Sequence, residues 1–213
     1  MNPLAQCRLY TFIDTAYLRG RDPVEIARQL CQGGSDLIQL RAKNSTPAEI
    51  RRLAAAIGPI LREAGVGLVI NDHYEIAREA GADLCHLGQE DFFEASYTHV
   101  SELADGPSAP GIGLSTHGPE QAIRALTAGP AYLAIGPVYA TGTKPGARPV
   151  TLDYVRWAAS NVAIPWFAIG GINPGNVAEV VAAGAKRICA VSAILNAPDI
   201  AEACREFKKW LPG

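Results

Sequence analysis

The sequence lacks any long block of like charge and any long apolar run. Its 19 basic and 21 acidic side chains leave a formal net charge of −2 at pH 7, so neither nucleic acid nor a membrane surface is an expected partner. No apolar run approaches the about 18 residues of a membrane-spanning helix, and the N-terminus shows no basic segment followed by an apolar core. These absences predict a soluble, cytoplasmic protein.

Paired cysteines are also absent. The five cysteines are odd in number and widely spaced, and no Cys-x-x-Cys pair occurs. This pattern favours small buried apolar side chains in a reducing compartment over a disulfide or metal-binding role.

The sequence does contain enough apolar residues, 48% of 213, for one sizeable core, so a single domain over residues 1–213 is predicted. A repeat runs through it. Glycines at positions 34, 81, 129 and 184 each follow a helix-like stretch and precede an apolar run, as expected for a helix end that leads into a buried strand. Their spacings of 47, 48 and 55 residues suit two strand-helix units per repeat.

Further apolar runs at 8–14, 66–70, 111–115 and 164–169 bring the predicted strands to eight. Alternation of strand and helix in a little over 200 residues predicts a (β/α)₈ TIM barrel. A doubly wound open sheet is the alternative. Helical patterns occupy 23–32, 47–64, 74–80, 119–128, 152–160, 174–183 and 200–211, with a weak one within 92–103.

Polar residues and glycines follow the predicted strands at their carboxyl ends, where barrels of this type carry their functional sites. Structural polar side chains rarely sort to one end of so many strands, so we expect these residues to line one pocket. From the second strand to the eighth they are Gln39, Arg41, Lys43, Asn71, Asp72, Asp91, Ser115, Thr141, Thr143, Lys144, Gly170, Gly171 and Ser192, with the apolar Val191 directly before the last.

Two of these residues, Asp72 and Asp91, stand 19 residues apart after successive strands. If those strands are neighbours, the two carboxylates emerge side by side and could hold Mg²⁺ against a phosphorylated substrate. The simpler interpretation is that each aspartate caps the helix that follows it. A zinc site that uses His73 or His86 is less favoured, because oxygen ligands predominate and a histidine inside a strand is more often a satisfied core residue. His117 could line the pocket, but no role is assigned to it.

Arg41 and Lys43 are two residues apart, so on an extended strand end their side chains point the same way. Fixed cations beside two carboxylates suit a ligand whose several negative oxygens bridge metal and protein, such as a diphosphate. Lys144, on a glycine-containing loop with Thr141 and Thr143, could close over the same charge. The alternative is that these are solvated or salt-bridged surface residues.

A second anion site is predicted after the seventh strand. Gly170 and Gly171 form a tight turn, and Asn173 and Pro174 suit the cap and first residue of a helix, where free N–H groups favour an anion. With Ser192, this matches the phosphate site that barrels commonly build after strands 7 and 8. The alternative is that the glycines only permit a turn and the serine only caps a helix.

Together these segments resemble the thiamine-phosphate synthase family. A Gly-Gly turn alone occurs in many phosphate-binding barrels, but the full set is highly specific and runs in order over nearly the whole chain. The segments are Gln39-x-Arg41-x-Lys43, Asn71-Asp72, Gly81 to Asp91, Gly113 to His117, Thr141-x-Thr143-Lys144, Ala168 to Ile172 and Val191 to Ile194.

The resemblance implies a transferase that joins 4-amino-2-methyl-5-pyrimidinylmethyl diphosphate to hydroxyethyl-thiazole phosphate, releasing diphosphate and forming thiamine phosphate. It implies that Mg²⁺ is bound by Asp72 and Asp91. It assigns to the pyrimidine diphosphate Gln39, Asn71 and the catalytic residues Arg41, Lys43, Ser115 and Lys144. It assigns to the thiazole phosphate Thr141, Thr143, Gly170 or Gly171, Val191 and Ser192.

The resemblance has departures and rivals. Gly142 stands in a loop where relatives often carry proline, and the opening segment 14–20 is less typical, so no role is transferred to it. The rivals are the paralogous thiazole tautomerase and a non-catalytic barrel that binds thiamine precursors; Arg41, Lys43, Asp72 and Asp91 together favour the synthase. A homo-oligomer is possible.

Overall fold

The computed structural model describes residues 1–104, 106, 108–142 and 148–212. Within these ranges eight parallel strands form a closed barrel, in which each strand pairs with the next and β8 pairs with β1. This confirms the (β/α)₈ prediction and excludes the open sheet. The strands are β1 (Leu9–Asp14), β2 (Leu37–Arg41), β3 (Gly67–Asn71), β4 (Leu84–Gly88), β5 (Gly111–Thr116), β6 (Tyr132–Ile135), β7 (Trp166–Ala168) and β8 (Ile188–Cys189).

Helices connect the strands, and the seven well-marked helical patterns are all present, with ends within three residues of the predicted ones. Two short helices, Thr15–Leu18 and Ser192–Leu195, were not predicted. None of the helices in the described ranges is long and apolar enough to cross a membrane. The helices are α1 (Thr15–Leu18), α2 (Pro23–Gln32), α3 (Pro47–Glu63), α4 (Tyr74–Glu79), α5 (Gln89–Glu94), α6 (Pro119–Thr127), α7 (Thr151–Asn161), α8 (Val177–Ala182), α9 (Ser192–Leu195) and α10 (Ile200–Trp210).

The repeated glycines end helices, as predicted. Gly34, Gly81, Gly129 and Gly184 have φ values of +83°, +60°, +72° and +104°, in the left-handed region that glycine adopts without the steric cost of a Cβ atom. Each one turns the chain from a helix towards the next strand, and this turn sets the direction in which all four of those strands enter the barrel.

The first two repeats carry an aspartate two residues after the glycine, and both aspartates tie neighbouring strands together at the amino-terminal end of the barrel. The carboxylate of Asp36 accepts from the backbone N–H groups of Arg8 and Leu9, each at 2.9 Å. The carboxylate of Asp83 accepts from the N–H of Leu68 at 2.9 Å. These contacts lie at the end opposite the predicted site, so they stabilise the fold.

The free cysteines match the sequence expectation. Cys7, Cys85, Cys189 and Cys204 are buried, Cys31 is partly buried, and all five are unpaired with one another. Burial raises the pKa of the Cys85 thiol to about 12, and it raises the pKa of Cys189 well above the ordinary value. Both thiols are therefore neutral at physiological pH and act as apolar side chains.

Aromatic rings fill the barrel interior. Tyr10, Tyr132 and Phe167 make mutual edge-to-face contacts, with ring centroids 5.3 to 5.9 Å apart, a favourable geometry for aromatic pairs. The Tyr132 ring has room because residue 113 is a glycine: a Cβ atom there would lie 2.1 Å from ring carbons of Tyr132.

We expect Gly113→Ala to lower the free energy of unfolding by about 1–3 kcal/mol, because the added methyl group overpacks the core against Tyr132. Denaturant unfolding measures this. Gly118→Ala is the matched control, since a Cβ atom at Gly118 meets nothing within 4 Å. Because Gly118 is the N-cap of α6, this change should cost about 0.5 kcal/mol, the difference between glycine and alanine at such a cap. Equal stability of the two variants would contradict the packing argument.

Candidate active site

One cavity opens at the carboxyl ends of the strands, and it encloses about 1080 Å³ of space, part of it open to solvent. Every predicted site residue in the described ranges lines it: Gln39, Arg41, Lys43, Asn71, Asp72, Asp91, Ser115, Thr141, Gly170, Gly171, Val191 and Ser192. The two other predicted residues, Thr143 and Lys144, lie outside the described residues.

Barrel closure separates these residues into two groups that face each other. In a ring of eight strands, β3 lies opposite β7 and β4 lies opposite β8. Asp72 and Asp91, after β3 and β4, therefore face Gly170 and Ser192 across the barrel mouth. The acidic and basic side chains collect on the β2–β4 side, and the glycine turn lies on the β7–β8 side.

Asp72 sits on a strained turn. Its φ is +63°, and the N–H of His73 donates to the carbonyl of Asn71 at 2.9 Å, which closes a three-residue γ-turn of the less common hand around Asp72. Its own N–H donates to the carbonyl of His86 on β4 at 2.9 Å. Strain of this kind persists only where surrounding contacts hold it, and it clusters at functional sites.

Two neighbours hold the Asp72 carboxylate. The Nδ2 of Asn71 donates to Oδ2 at 2.6 Å, and the Nζ of Lys43 lies 3.6 Å from the same oxygen. Lys43 lies in a turn just after β2 rather than on the strand end as predicted, but it still lines the cavity. A cation, an amide and a carboxylate thus form a connected group on the β2–β3 side.

Asp91 differs from the sequence prediction in its local structure. It does not extend a strand tip, because helix α5 begins at Gln89 and places Asp91 in its first turn. The weak helix predicted within 92–103 therefore starts three residues earlier. The carboxylate folds back over the end of β4, so that a Cβ atom on Gly88 would lie 2.6 Å from Asp91 Oδ2. Glycine at 88 leaves the space that this carboxylate occupies.

A buried carboxylate that sequence reasoning did not assign holds Arg41. The Nη1 of Arg41 lies 2.6 Å from Oδ2 of Asp14 at the end of β1, and the other carboxylate oxygen of Asp14 caps α1 by accepting from the N–H of Ala16 at 3.0 Å. Asp14 is only 1% exposed. The guanidinium is thereby fixed at the cavity edge before any substrate binds.

The turn at Gly170 and Gly171 requires glycine for two reasons, its backbone conformation and its close packing. The φ values are +103° and +65°, and Cβ atoms would lie 2.4 Å from Pro137 and 2.7 Å from the carbonyl of Ala140. The turn therefore packs directly against the segment after β6.

The predicted helix start at Pro174 is wrong, since α8 begins at Val177. Asn173 and Asn176 instead build a turn before it: the N–H of Asn173 donates to the Asn176 side chain at 2.8 Å, and the Asn176 amide donates to the carbonyl of Gly171 at 3.0 Å. The carbonyl of Asn173 accepts from the N–H groups of Asn176 and Val177 at 3.1 and 3.0 Å, so this turn leads directly into α8.

Several lining residues were missed because they lie inside strands rather than after them. Tyr10 and Phe12 line the cavity from β1, His86 from β4, and Cys189 from β8. Period-2 alternation would have shown which strand residues point inward, but not which of them reach the cavity. His86 is therefore more than the core histidine that was expected. His117 also lines the cavity and donates from Nδ1 to the carbonyl of Gly136.

We expect Asp14→Asn to lower kcat/KM by about 10-fold or more for a substrate that Arg41 binds, because misplacement of a binding group is costly. Asparagine still caps a helix, so the change removes the charge that orients Arg41. Steady-state kinetics measure the effect.

Asp22→Asn is the matched control. Asp22 caps α2 through a bond from the N–H of Val24 at 3.0 Å, and it is not among the lining residues. Its substitution should leave the kinetics unchanged. If the Asp14→Asn variant bound an anionic substrate more tightly, Asp14 would only offset the positive charge of Arg41. That result would contradict an orienting role.

Comparison with known sequences gives a consistent result. The family model described as thiamine monophosphate synthase matches residues 9–194. The chain is 44% identical over 182 residues to a thiamine-phosphate synthase of Thermus thermophilus, covering 85% of each sequence. It is 39% identical over 202 residues to that of Lawsonia intracellularis, covering 94% of this chain and 91% of the relative.

Among solved structures, the barrel is similar to the thiamine phosphate pyrophosphorylase from Pyrococcus furiosus. The TM-score is 0.85 at 31% sequence identity, covering 98% of this chain and 97% of the other. The similarity thus extends over the whole barrel, including the strand ends that line the cavity.

Proposed function

Because the chain belongs to the thiamine monophosphate synthase family, a family of transferases, we propose that it joins 4-amino-2-methyl-5-pyrimidinylmethyl diphosphate to hydroxyethyl-thiazole phosphate. The products are thiamine phosphate and diphosphate. The observation that supports this proposal is that one cavity has charged side chains after β2 to β4 and, facing them, a glycine turn and Ser192 after β7 and β8. We assign one phosphorylated substrate to each side.

The charged side accounts for departure of the diphosphate. The C–O bond between the methylene carbon and the diphosphate breaks, its electron pair stays on the diphosphate oxygen, and the aminopyrimidine ring stabilises the carbocation. Arg41, held by Asp14, and Lys43 stabilise the negative charge that grows on the leaving group. Gln39, Asn71, Ser115 and Lys144 complete the proposed binding set for this substrate.

The thiazole side accounts for bond formation. The ring nitrogen supplies its lone pair to the methylene carbon, so no protein nucleophile and no proton transfer is required. Thr141, Thr143, Gly170 or Gly171, Val191 and Ser192 are the residues we propose for holding the thiazole phosphate. Fixing the phosphate there brings the nitrogen towards the carbon from the opposite side of the cavity.

The donor set fits Mg²⁺. Asp72 and Asp91 both line the cavity, and in the described ranges no group of three or more His, Cys, Asp or Glu side chains is placed to hold a metal ion by itself. Magnesium commonly takes one or two carboxylates and completes its shell with water and substrate phosphate oxygens. Bound there, the ion would neutralise charge on the diphosphate.

The reaction itself is the first test. Purified protein mixed with both substrates and Mg²⁺ should release diphosphate and form thiamine phosphate in equal amounts, as measured by a diphosphate assay and chromatography. Omission of either substrate is the control. A thiazole tautomerase would convert a thiazole precursor without diphosphate release, and that outcome would overturn the proposal.

The metal role is tested at both carboxylates. We expect Asp72→Asn to lower turnover by about 10²-fold, the typical cost of losing one preorganised electrostatic contact, with folding intact because asparagine tolerates a positive φ. Gly88→Ala should displace the Asp91 carboxylate without altering any charge. The Mg²⁺ concentration that this variant needs for half-maximal activity should therefore rise. Titration of activity with Mg²⁺ measures both effects.

Gly118→Ala controls for the added methyl group, because a Cβ atom at Gly118 meets no other atom within 4 Å. The Mg²⁺ dependence of this variant should match that of the unmodified protein. Unchanged Mg²⁺ dependence in both Asp72→Asn and Gly88→Ala would refute metal binding by these aspartates.

A further inference from the structure

A chain of hydrogen bonds crosses the floor of the cavity and joins four strands. The amide of Gln39 on β2 donates to the hydroxyl of Tyr10 on β1. The Tyr10 and Tyr132 hydroxyls are 3.0 Å apart, and the Tyr132 hydroxyl lies 2.9 Å from Nδ1 of His86 on β4. Gln39, Tyr10 and Tyr132 are at most 2% exposed, so bulk water does not compete for these bonds.

The chain has a direction. An amide NH₂ group only donates, so the Tyr10 oxygen accepts from Gln39. Each tyrosine hydroxyl has one hydrogen. Any other order would leave a buried hydroxyl hydrogen without an acceptor in this chain, so the order that satisfies both hydroxyls sends the Tyr10 hydrogen to Tyr132 and the Tyr132 hydrogen to Nδ1 of His86. Because Nδ1 accepts, the neutral His86 ring carries its hydrogen on Nε2.

Both tyrosines stay protonated. Burial is the main cause that raises the pKa of Tyr10 and of Tyr132 well above the usual tyrosine value. Each hydroxyl therefore remains able to donate throughout the physiological pH range. Stacking of the His86 ring on Tyr132, with centroids 5.7 Å apart and planes 21° apart, further restricts the imidazole.

We propose that Tyr10 and Tyr132 are positioning residues that lock His86 in the Nε2–H tautomer and orient Gln39 at the other end of the chain. His86 and Gln39 both line the cavity. With its hydrogen fixed on Nε2, His86 can donate to a ligand but cannot accept at that nitrogen. It therefore favours a heteroaromatic ring that presents an acceptor nitrogen over one that presents an N–H group. The assignment of that ring to the pyrimidine substrate rests on the proposed function; the tautomer does not.

Nitrogen NMR tests the tautomer directly. In protein labelled with ¹⁵N at histidine, at a pH where the ring is neutral, His86 should show a protonated Nε2 and an unprotonated Nδ1. Tyr132→Phe should convert this single tautomer to a mixture, because phenylalanine keeps the ring volume but loses the hydroxyl. Tyr10→Phe should leave the tautomer unchanged, since Tyr132 still donates to His86. That difference reports the direction of the chain.

Kinetics test the consequence for specificity. Loss of one neutral hydrogen bond is worth about 0.5–1.5 kcal/mol, so Tyr132→Phe should raise KM for the pyrimidine diphosphate by roughly 2- to 12-fold and leave KM for the thiazole phosphate unchanged. Tyr154→Phe is the matched control. Tyr154 is also buried, but its hydroxyl bonds to Thr116 at 2.7 Å. Thr116 is not among the lining residues, whereas Tyr10 and His86, the partners of Tyr132, are.

The outcomes separate this proposal from the proposed function. An Nδ1–H tautomer in the unmodified protein, or a tautomer unaffected by Tyr132→Phe, would overturn the lock even if thiamine phosphate forms. Equal rises in both KM values would show a structural role alone. An inactive protein with the expected tautomer would refute the synthase reaction and leave the lock intact. If Tyr132→Phe does not fold, the unmodified protein and Tyr10→Phe still decide the tautomer.

Discussion

Eight parallel strands that close into a ring place all their carboxyl ends at one rim, and the geometry of the site depends on that closure. Residues that are far apart in the chain become neighbours around the cavity, and residues four strands apart face each other. In the proposed function, these two facing sides hold the two phosphorylated substrates with their reacting atoms between them. The apolar runs that drive strand burial thus also fix the spacing between Asp72 and Ser192.

Charge at the rim is organised before any substrate enters. Asp14 fixes Arg41 through a short ion pair, and Asn71 and Lys43 hold the carboxylate of Asp72. Such groups need little reorientation when charge develops on a leaving group, and this is the basis of electrostatic preorganisation. Below the rim, the Gln39–Tyr10–Tyr132–His86 chain joins four strands through side-chain hydrogen bonds. The cavity therefore combines charged side chains at its mouth with a connected hydrogen-bond chain at its floor.

Local signals predicted the elements well wherever a cap or a glycine marks an end. Thr46 caps helix α3 and Pro47 is its first residue, so its start was predicted correctly. Thr46 and Glu49 also form a capping box there. The start of α8 was wrong because the side chains of Asn173 and Asn176 bond to the backbone ahead of the helix. The start of α5 was missed because Gly88, which precedes it, makes no side-chain cap.

The sequence by itself determined the barrel, the positions of its strands and the polar residues at the strand ends, because these follow from local periodicity and chain order. Only the tertiary structure decided which residues bond across the barrel. Asp14 and Arg41 are 27 residues apart and Tyr10 and Tyr132 are 122 apart. Such pairs leave no local pattern, since hydrogen-bond partners inside a barrel are set by strand register and side-chain size. The same register places His86 at the cavity wall, although a core position was expected for it.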